Sequence, residues 1–300
     1  GQHYADSPLP AKAMSDASSK LTIVKGRFAK EEGFSGSLKN GEAQHDLQDR
    51  EKKVHTVDRH QQLVEAARRD WEANRNIPNK LLNFVNLMTR VEADDVENEA
   101  IQILNAEFES SGNYIFKQKS DDILIRQMNR HLSKIVKLIK VDPSNEELRQ
   151  QYHHHMLHQS EAETRIFEDR VQHYPTDLKI KYELALRYFL TKRYDDAIPI
   201  FQQSRADAKL RAQSRLYIGR CFFAKGFFDQ AVDVLKRAIE ELDTRTGSLV
   251  NDLNYWLARA LEASGELDAA KKVYGQLIQS DYNYRDGRQR LERLVSETKN

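Results

Sequence analysis

Apolar side chains recur every three to four positions over most of this chain, and from Leu178 onward they do so in phrases that repeat. The phrases come in pairs: LKIKYELALRYFLT with DDAIPIFQQSRADA, QSRLYIGRCFFAKG with DQAVDVLKRAIEEL, and DLNYWLARALEASG with LDAAKKVYGQLIQ. Each pair reads as two amphipathic helices joined by a short turn. The first helix of a pair carries a large-small couple, Leu184 and Ala185, Ile218 and Gly219, Leu257 and Ala258, with bulky Tyr188, Phe222 or Leu261 one turn later. The second carries Ala197, Ala231 or Ala270, spaced 34 and 39 residues apart. A period near 34 with one small side chain per unit predicts stacked helix-turn-helix repeats, because a helical face must approach its neighbour closely there. Lys192, Gly226 and Gly265 fall in the turns, where glycine takes positive φ without penalty.

Upstream the grammar is looser. Leu63, Ala67 and Trp71 form a helical stripe that Pro78 ends. LLNFVNLMTRV then places Phe84, Leu87 and Val91 on one stripe, and ENEAIQILNAEF places Ala100, Leu104 and Phe108 on another, a less regular helical pair. Between about Ser120 and Tyr174 the repeat lapses. Ile125, Met128, Leu132, Ile135 and Ile139 run to Asp142-Pro143, and Leu148, Tyr152, Ile166, Val171 and Tyr174 run on to Pro175. Two long antiparallel helices are expected, each about 40 Å long, which either project from the array or brace it. Pro199 follows Asp195 closely, where the amides of a helix start have no intrahelical partner and proline is tolerated. The stretch around Arg288, Leu291 and Leu294 reads as a polar capping helix.

The fold expected is therefore all-α: a helical-hairpin solenoid with a long antiparallel hairpin inserted and a disordered N-terminal tail. The divisions are 1–57 tail, 58–119 degenerate helical region, 120–177 hairpin, 178–284 three repeats and 285–300 cap. Within the tail, LTIVKGRFAKEEGFSGSL at residues 21–38 is too apolar for a pure spacer, and stays open between mobile chain, recognition segment and strap on the folded body. Met14 opens MSDASSK in the manner of a natural start, so residues 1–13 are given no function.

Composition narrows the class. With 47 basic and 46 acidic residues the formal charge is only +1, so no overall field recruits nucleic acid or lipid. Only 12 glycines and 6 prolines in 300 residues favour long helices. The single cysteine, Cys221, excludes an internal disulfide and a cysteine-based zinc site, and points to a reducing compartment. Without a membrane-spanning stretch or a signal segment, the expectation is a soluble, cytoplasmic protein.

The turn phrases KRYDDAIPIF, GFFDQAVDVL and GELDAAKKVY, with Ala197, Ala231 and Ala270 in the packed-alanine place, resemble the tetratricopeptide repeat. The resemblance covers 178–284 well and 81–112 loosely. It departs from the pattern at Lys192, where glycine is usual, and at a five-residue insertion, Thr246 to Val250. It implies a non-catalytic adaptor of bacterial type that binds a protein or peptide along the concave face formed by the first helices. The inward residues would be Lys179, Tyr182 and Leu186, with Phe189, then Tyr217, Arg220 and Phe223, then Tyr255, Trp256 and Arg259. Aromatics with arginine suit an amphipathic or extended peptide bearing a carboxylate. Phe189 and Phe223 are equally placed to pack between repeats, whereas Arg220 and Arg259 are unlike core residues. Chaperone-binding relatives grip a terminal carboxylate with a Lys/Asn/Lys/Arg set, and here the corresponding places hold Tyr182, Leu186, Tyr217 and Asp252.

No phosphate loop, serine elbow or metalloprotease motif occurs, so no catalytic residue, metal or cofactor is assigned. His154 and His158 share a helical face, but two imidazoles on one turn make a weak metal site. Arg285, Arg288, Arg290 and Arg293 are interleaved with acids, which argues against a nucleic-acid stripe. The second reading is an architectural subunit that self-assembles through the hairpin. The sequence leaves the oligomeric state open.

Overall fold

The computed structural model describes residues 58–243 and 246–297; the expectations for 1–57, including residues 21–38, lie outside them. The chain divides after Gln62. The first unit is described only in residues 58–62, the start of a helix, and all that follows concerns Leu63–Asn300.

Among the described residues there are helices and no strand. Helix α1 (58–73) leads into α2 (Pro78–Met88), α3 (Asp94–Ser111), α4 (Tyr114–Val141) and α5 (Glu146–His173). The repeats follow as α6 (Leu178–Leu190) with α7 (Tyr194–Ser204), α8 (Arg211–Ala224) with α9 (Phe228–Glu240), and α10 (Ser248–Ser264) with α11 (Leu267–Ser280). Helix α12 (Gly287–Glu297) comes last. The architecture is an all-α solenoid. Helices α6, α8 and α10 touch one another side by side, while each also packs on its own partner, α7, α9 or α11.

Local chemistry sets the ends. Asn113, Asn145 and Asp177 cap α4, α5 and α6 by accepting from backbone amides inside the first turn. Pro78 opens α2 as its first residue, where its missing N–H costs nothing. Gly112 and Gly265 close α3 and α10 in the left-handed conformation. Lys192 adopts the same conformation with φ 61°, although it has a side chain.

The packed small residues work as spacers. Ala185, Ala197, Ala231, Ala258 and Ala270 are all completely buried. Gly219 brings α8 so close to α9 that a Cβ there would stand 2.6 Å from Leu235 Cγ. One core runs through α6, α7 and α8 around Phe201 and Ile218, and another through α8 to α12 around Leu235, Leu253, Tyr274 and Leu277.

Four local readings change. Pro199 is the sixth residue of α7, beyond the partnerless amides, since Ala197 N already donates to Arg193 O. It leaves the Asp195 carbonyl without the bond that a residue four positions on would donate. The Thr246–Val250 insertion is largely helix: α10 begins at Ser248 because Val250 and Leu253 continue its buried stripe. Helix α2 buries Leu81, Phe84, Val85 and Met88, and Val91 is exposed beyond its end. Helix α3 packs along α4 more than along α2, through buried Ala100, Leu104, Phe116 and Ile123.

Helices α4 and α5 contain 28 residues each, about 42 Å at 1.5 Å per residue. Their base is braced on both sides. Glu97 of α3 is buried and accepts from Arg126 at 2.9 Å and from Arg130 at 2.5 Å. On the other side, Glu163 of α5 accepts from Arg187 Nε of α6 at 3.0 Å, and Ile166 and Phe167 pack on Leu184. From Met128 to His158 no residue is buried, so the outer half of the hairpin is two helices sharing a thin apolar seam.

Candidate functional site: an aromatic and arginine ladder

The helices α6, α8 and α10 place their aromatic residues in one connected row. Tyr182 on α6 lies edge-on to Tyr217 on α8, with ring centroids 6.3 Å apart, and Phe189 meets the same Tyr217 at 5.1 Å. Phe201 of α7 stacks beneath Tyr217 at 5.4 Å. One turn on, the Arg220 guanidinium lies 4.6 Å from the Phe189 ring, 5.0 Å from Tyr217 and 4.7 Å from Trp256 of α10. Arg259 lies 4.9 Å from Phe223 and 5.1 Å from Trp256. The row closes on Tyr255, whose ring is 5.6 Å from Trp256 and 6.1 Å from Tyr284.

Helical geometry explains the row. Residues 217, 220 and 223–224 of a helix share one stripe, as do 255, 256 and 259. Helices α8 and α10 pack side by side, and Phe223 and Arg220 meet Trp256 across that contact. Arg220 is only 8% exposed. That overturns the expectation that it is unlike a core residue: three ring faces surround the guanidinium and supply the electrostatic attraction that water would otherwise give. Arg259 is half-buried and stands nearer solvent. Burial, ahead of the neighbouring Tyr217 and Glu183 charges, pushes the Tyr182 phenol up, so it stays a neutral hydrogen-bonding group.

Of the residues expected to line the face, Tyr182, Tyr217, Arg220, Phe223, Tyr255, Trp256 and Arg259 come together. Tyr255 and Trp256 are themselves buried, so they form its floor. Leu186 packs into the α6–α8 core. Lys179 stands exposed in the first turn of α6, outside the row.

Sequence reasoning missed how the C-terminal segment seals one end. Arg285 sits 4.8 Å from the Tyr255 ring and pairs with Asp252 at 2.7 Å, while Tyr284 Oη donates to the same Asp252 at 2.7 Å. Tyr255 Oη donates to Asp286 at 2.7 Å, and Arg290 reaches both Asp286 and Glu262. Glu262 also accepts from Tyr274 Oη and pairs with Arg293. The acids on the α10 stripe, Asp252 and Glu262, are thus occupied by the segment 284–293. The phrase DYNYRDGRQRLER, dense in tyrosine, arginine and aspartate, was the available signal. The same pairs, with Arg288 beside Glu292, consume the arginine cluster internally.

Other chemistry is sparse. Cys221 is fully buried, and that burial pushes its thiol up to about 12, leaving negligible thiolate at neutral pH. His131, His155 and His158 line a shallow cleft between α4 and α5, while His154 is exposed outside it. Among the described residues no group of three or more His, Cys, Asp or Glu is arranged to hold a metal ion. None of the described helices is long and apolar enough to cross a membrane.

A family profile described as tetratricopeptide repeat matches residues 252–281, which take in most of α10 and all of α11. No curated protein matches the sequence. Among solved structures, the chain is similar to a tetratricopeptide repeat protein from Parabacteroides merdae ATCC 43184, with 14% identity over 82% of this chain and 96% of that one, TM-score 0.40. It is also similar to a putative kinesin light chain from Podosopora anserina with nearly identical TPR-like repeats, with 19% identity over 75% and 97%, TM-score 0.43. A third likeness is to a chain of the Naa15/Naa10 structure bound to HypK-THB, with 13% identity over 81% of this chain, TM-score 0.40. This chain spans only 37% of that protein's length.

Proposed function

Residues 252–281 match the tetratricopeptide-repeat profile, and from that premise we propose that the chain is a non-catalytic adaptor holding a partner peptide or helix on the face shared by α6, α8 and α10. The observation that carries the reading is the continuous row from Tyr182 through Tyr217, Arg220, Phe223 and Trp256 to Arg259. Large rigid rings give contact area at low entropic cost, and arginine adds directional charge, the combination that dominates binding energy at interfaces. Tyr182, Tyr217, Phe223 and Arg259 are the contact residues; Arg220, Tyr255 and Trp256 hold them in place. Lys179 and Leu186 lie at the margin.

The partner carries a carboxylate. Half-buried Arg259 lies among the rings of Phe223, Tyr255 and Trp256 on this face, a setting of aromatics with arginine that suits such a partner. A single groove of this kind gives affinity near micromolar, about −8 kcal/mol. No cofactor is needed. The buried, protonated Cys221 suits a reducing, cytoplasmic setting and not a nucleophile. Because the C-terminal arginines are engaged internally, nucleic acid is not the ligand.

The test is capture from native lysate by the wild-type chain and by an Arg259→Glu, Phe223→Ala variant, both first shown to have the same helical circular dichroism. Arg220 is left intact because its removal would empty a buried site. A partner held by the first bait and lost by the second supports the groove. The same partner on both baits refutes it.

A further inference from the structure

A tyrosine and an arginine share one carboxylate four times among the described residues. Tyr188 Oη donates to Glu168 at 2.9 Å, beside Arg193 at 3.2 Å. Tyr255 Oη donates to Asp286 at 2.7 Å beside Arg290, and Tyr284 Oη to Asp252 at 2.7 Å beside Arg285. Tyr274 Oη donates to Glu262 at 2.8 Å, beside Arg290 and Arg293. A phenol taken out of water needs an acceptor, and an ionised acid is the strongest one available.

Tyr182 and Tyr217 have no such acid. Their rings lie edge to face across α6 and α8, and the Arg220 guanidinium is 5.0 Å from the Tyr217 ring. The two phenols and Arg220 are close enough to feel one another's charge. Both rings are half-buried, yet among the described residues neither hydroxyl has a hydrogen-bond partner, and both oxygens reach solvent. Tyr152, Tyr194 and Tyr282 also donate to nothing, but none of them faces a second phenol. The surroundings favour an anion. Helix α8 contains Arg211, Arg215 and Arg220 and no acid, and Glu183, the one acid of α6, is engaged by Arg187.

We propose that the partner supplies the missing acceptor: an aspartate or glutamate side chain of the bound peptide receives hydrogen bonds from the Tyr182 and Tyr217 hydroxyls, next to Arg220. This rests on the adaptor reading above and seats the partner's carboxylate at the α6–α8 end of the row, leaving Phe223 and Arg259 for neighbouring peptide residues. The rings around the seat exclude water, which strengthens both bonds. An amide in the same place would lose the charge that makes them strong.

The test is selection from a random linear peptide library on the full wild-type chain, on a Tyr182→Phe, Tyr217→Phe variant and on the Arg259→Glu, Phe223→Ala variant. Phenylalanine keeps both rings and removes only the hydroxyls, so the urea midpoint should stay at its wild-type value. Tyr274→Phe, which strips a donor from Glu262, should lower it. Peptides enriched on the wild type should carry an aspartate or glutamate, and changing that acid to its amide should weaken binding by about tenfold or more. On the double phenylalanine variant the acid and amide peptides should bind alike. An equal loss on both proteins would overturn the proposal. So would a fall in the urea midpoint like that of Tyr274→Phe, which would reveal an internal acceptor. Peptides that need Arg259 and Phe223 but not the two hydroxyls would leave the groove standing and refute this inference alone. Peptides indifferent to every variant, or no enrichment on the wild type, would refute both.

Discussion

Gly219 offers a sharp test of why these helices stack, because adding one methyl group there should change sign with its background. In the wild type the added Cβ would lie 2.6 and 2.8 Å from Leu235 Cγ and Cδ2, far inside van der Waals contact. Leu235 is fully buried among Ala231, Ala238 and Leu253, so it has no open space to move into. Overpacking of this kind costs roughly 1–3 kcal/mol. Against that, alanine in a helix interior is favoured over glycine by about 1 kcal/mol. Gly219→Ala should therefore destabilise by about 0–2 kcal/mol, taking the two principles together. In a Leu235→Ala background, itself weakened by about 2–5 kcal/mol, the three nearest atoms to the new methyl are gone. The same substitution should then stabilise by about 1 kcal/mol, its helix-propensity gain. The coupling between the two sites, roughly 1–3 kcal/mol, is the quantity to measure. Urea unfolding followed at Trp256, which shares a core with Leu235, reads it directly once Trp71 is changed to phenylalanine. Gly219→Ala that stabilises the wild type, or acts equally in both backgrounds, would refute the close-approach account.

Lys192→Gly should stabilise by about 1 kcal/mol, since Lys192 sits at φ 61° where a side chain is strained; no rise in the urea midpoint would mean that its side chain compensates. Pro199→Ala should stabilise the first repeat by up to about 3 kcal/mol, by restoring the bond to the Asp195 carbonyl, and native-state hydrogen exchange at position 199 and its neighbours would show protection. Glu97 is buried, and although burial alone would raise its pKa, Arg130 and Arg126 outweigh it and hold the carboxyl below its ordinary value. A carboxyl depressed in the folded state contributes stability above its unfolded value near 4.3, and loses it as pH falls through the lower folded value. Acid unfolding followed at Trp71 should therefore shift to higher pH and lose steepness in Glu97→Gln; an unchanged acid limb would show that Glu97 contributes nothing.

The periodicity of this chain determined a good deal by itself. Ala197, Ala231 and Ala270 mark the close contacts because only a small side chain lets two helical faces approach, and that requirement is written at a fixed spacing. The paired helices from Leu178, the long hairpin and the stripe shared by Tyr217, Arg220, Trp256 and Arg259 all follow from the geometry of a single helix. What needed the tertiary structure was everything that depends on which helix lies across the gap. Arg220 reads as a surface cation until Phe189 and Trp256, from two other helices, are seen to enclose it. Asp252 reads as an inward residue of the concave face until Tyr284 and Arg285 are seen to engage it. The insertion at Thr246–Val250 reads only as extra residues between repeats until Val250 and Leu253 are seen buried at the start of α10. The same limit explains the outer hairpin: helical period places Met128, His131 and Leu132 along α4, and only the packing of α5 shows that they share a cleft with His155 and His158.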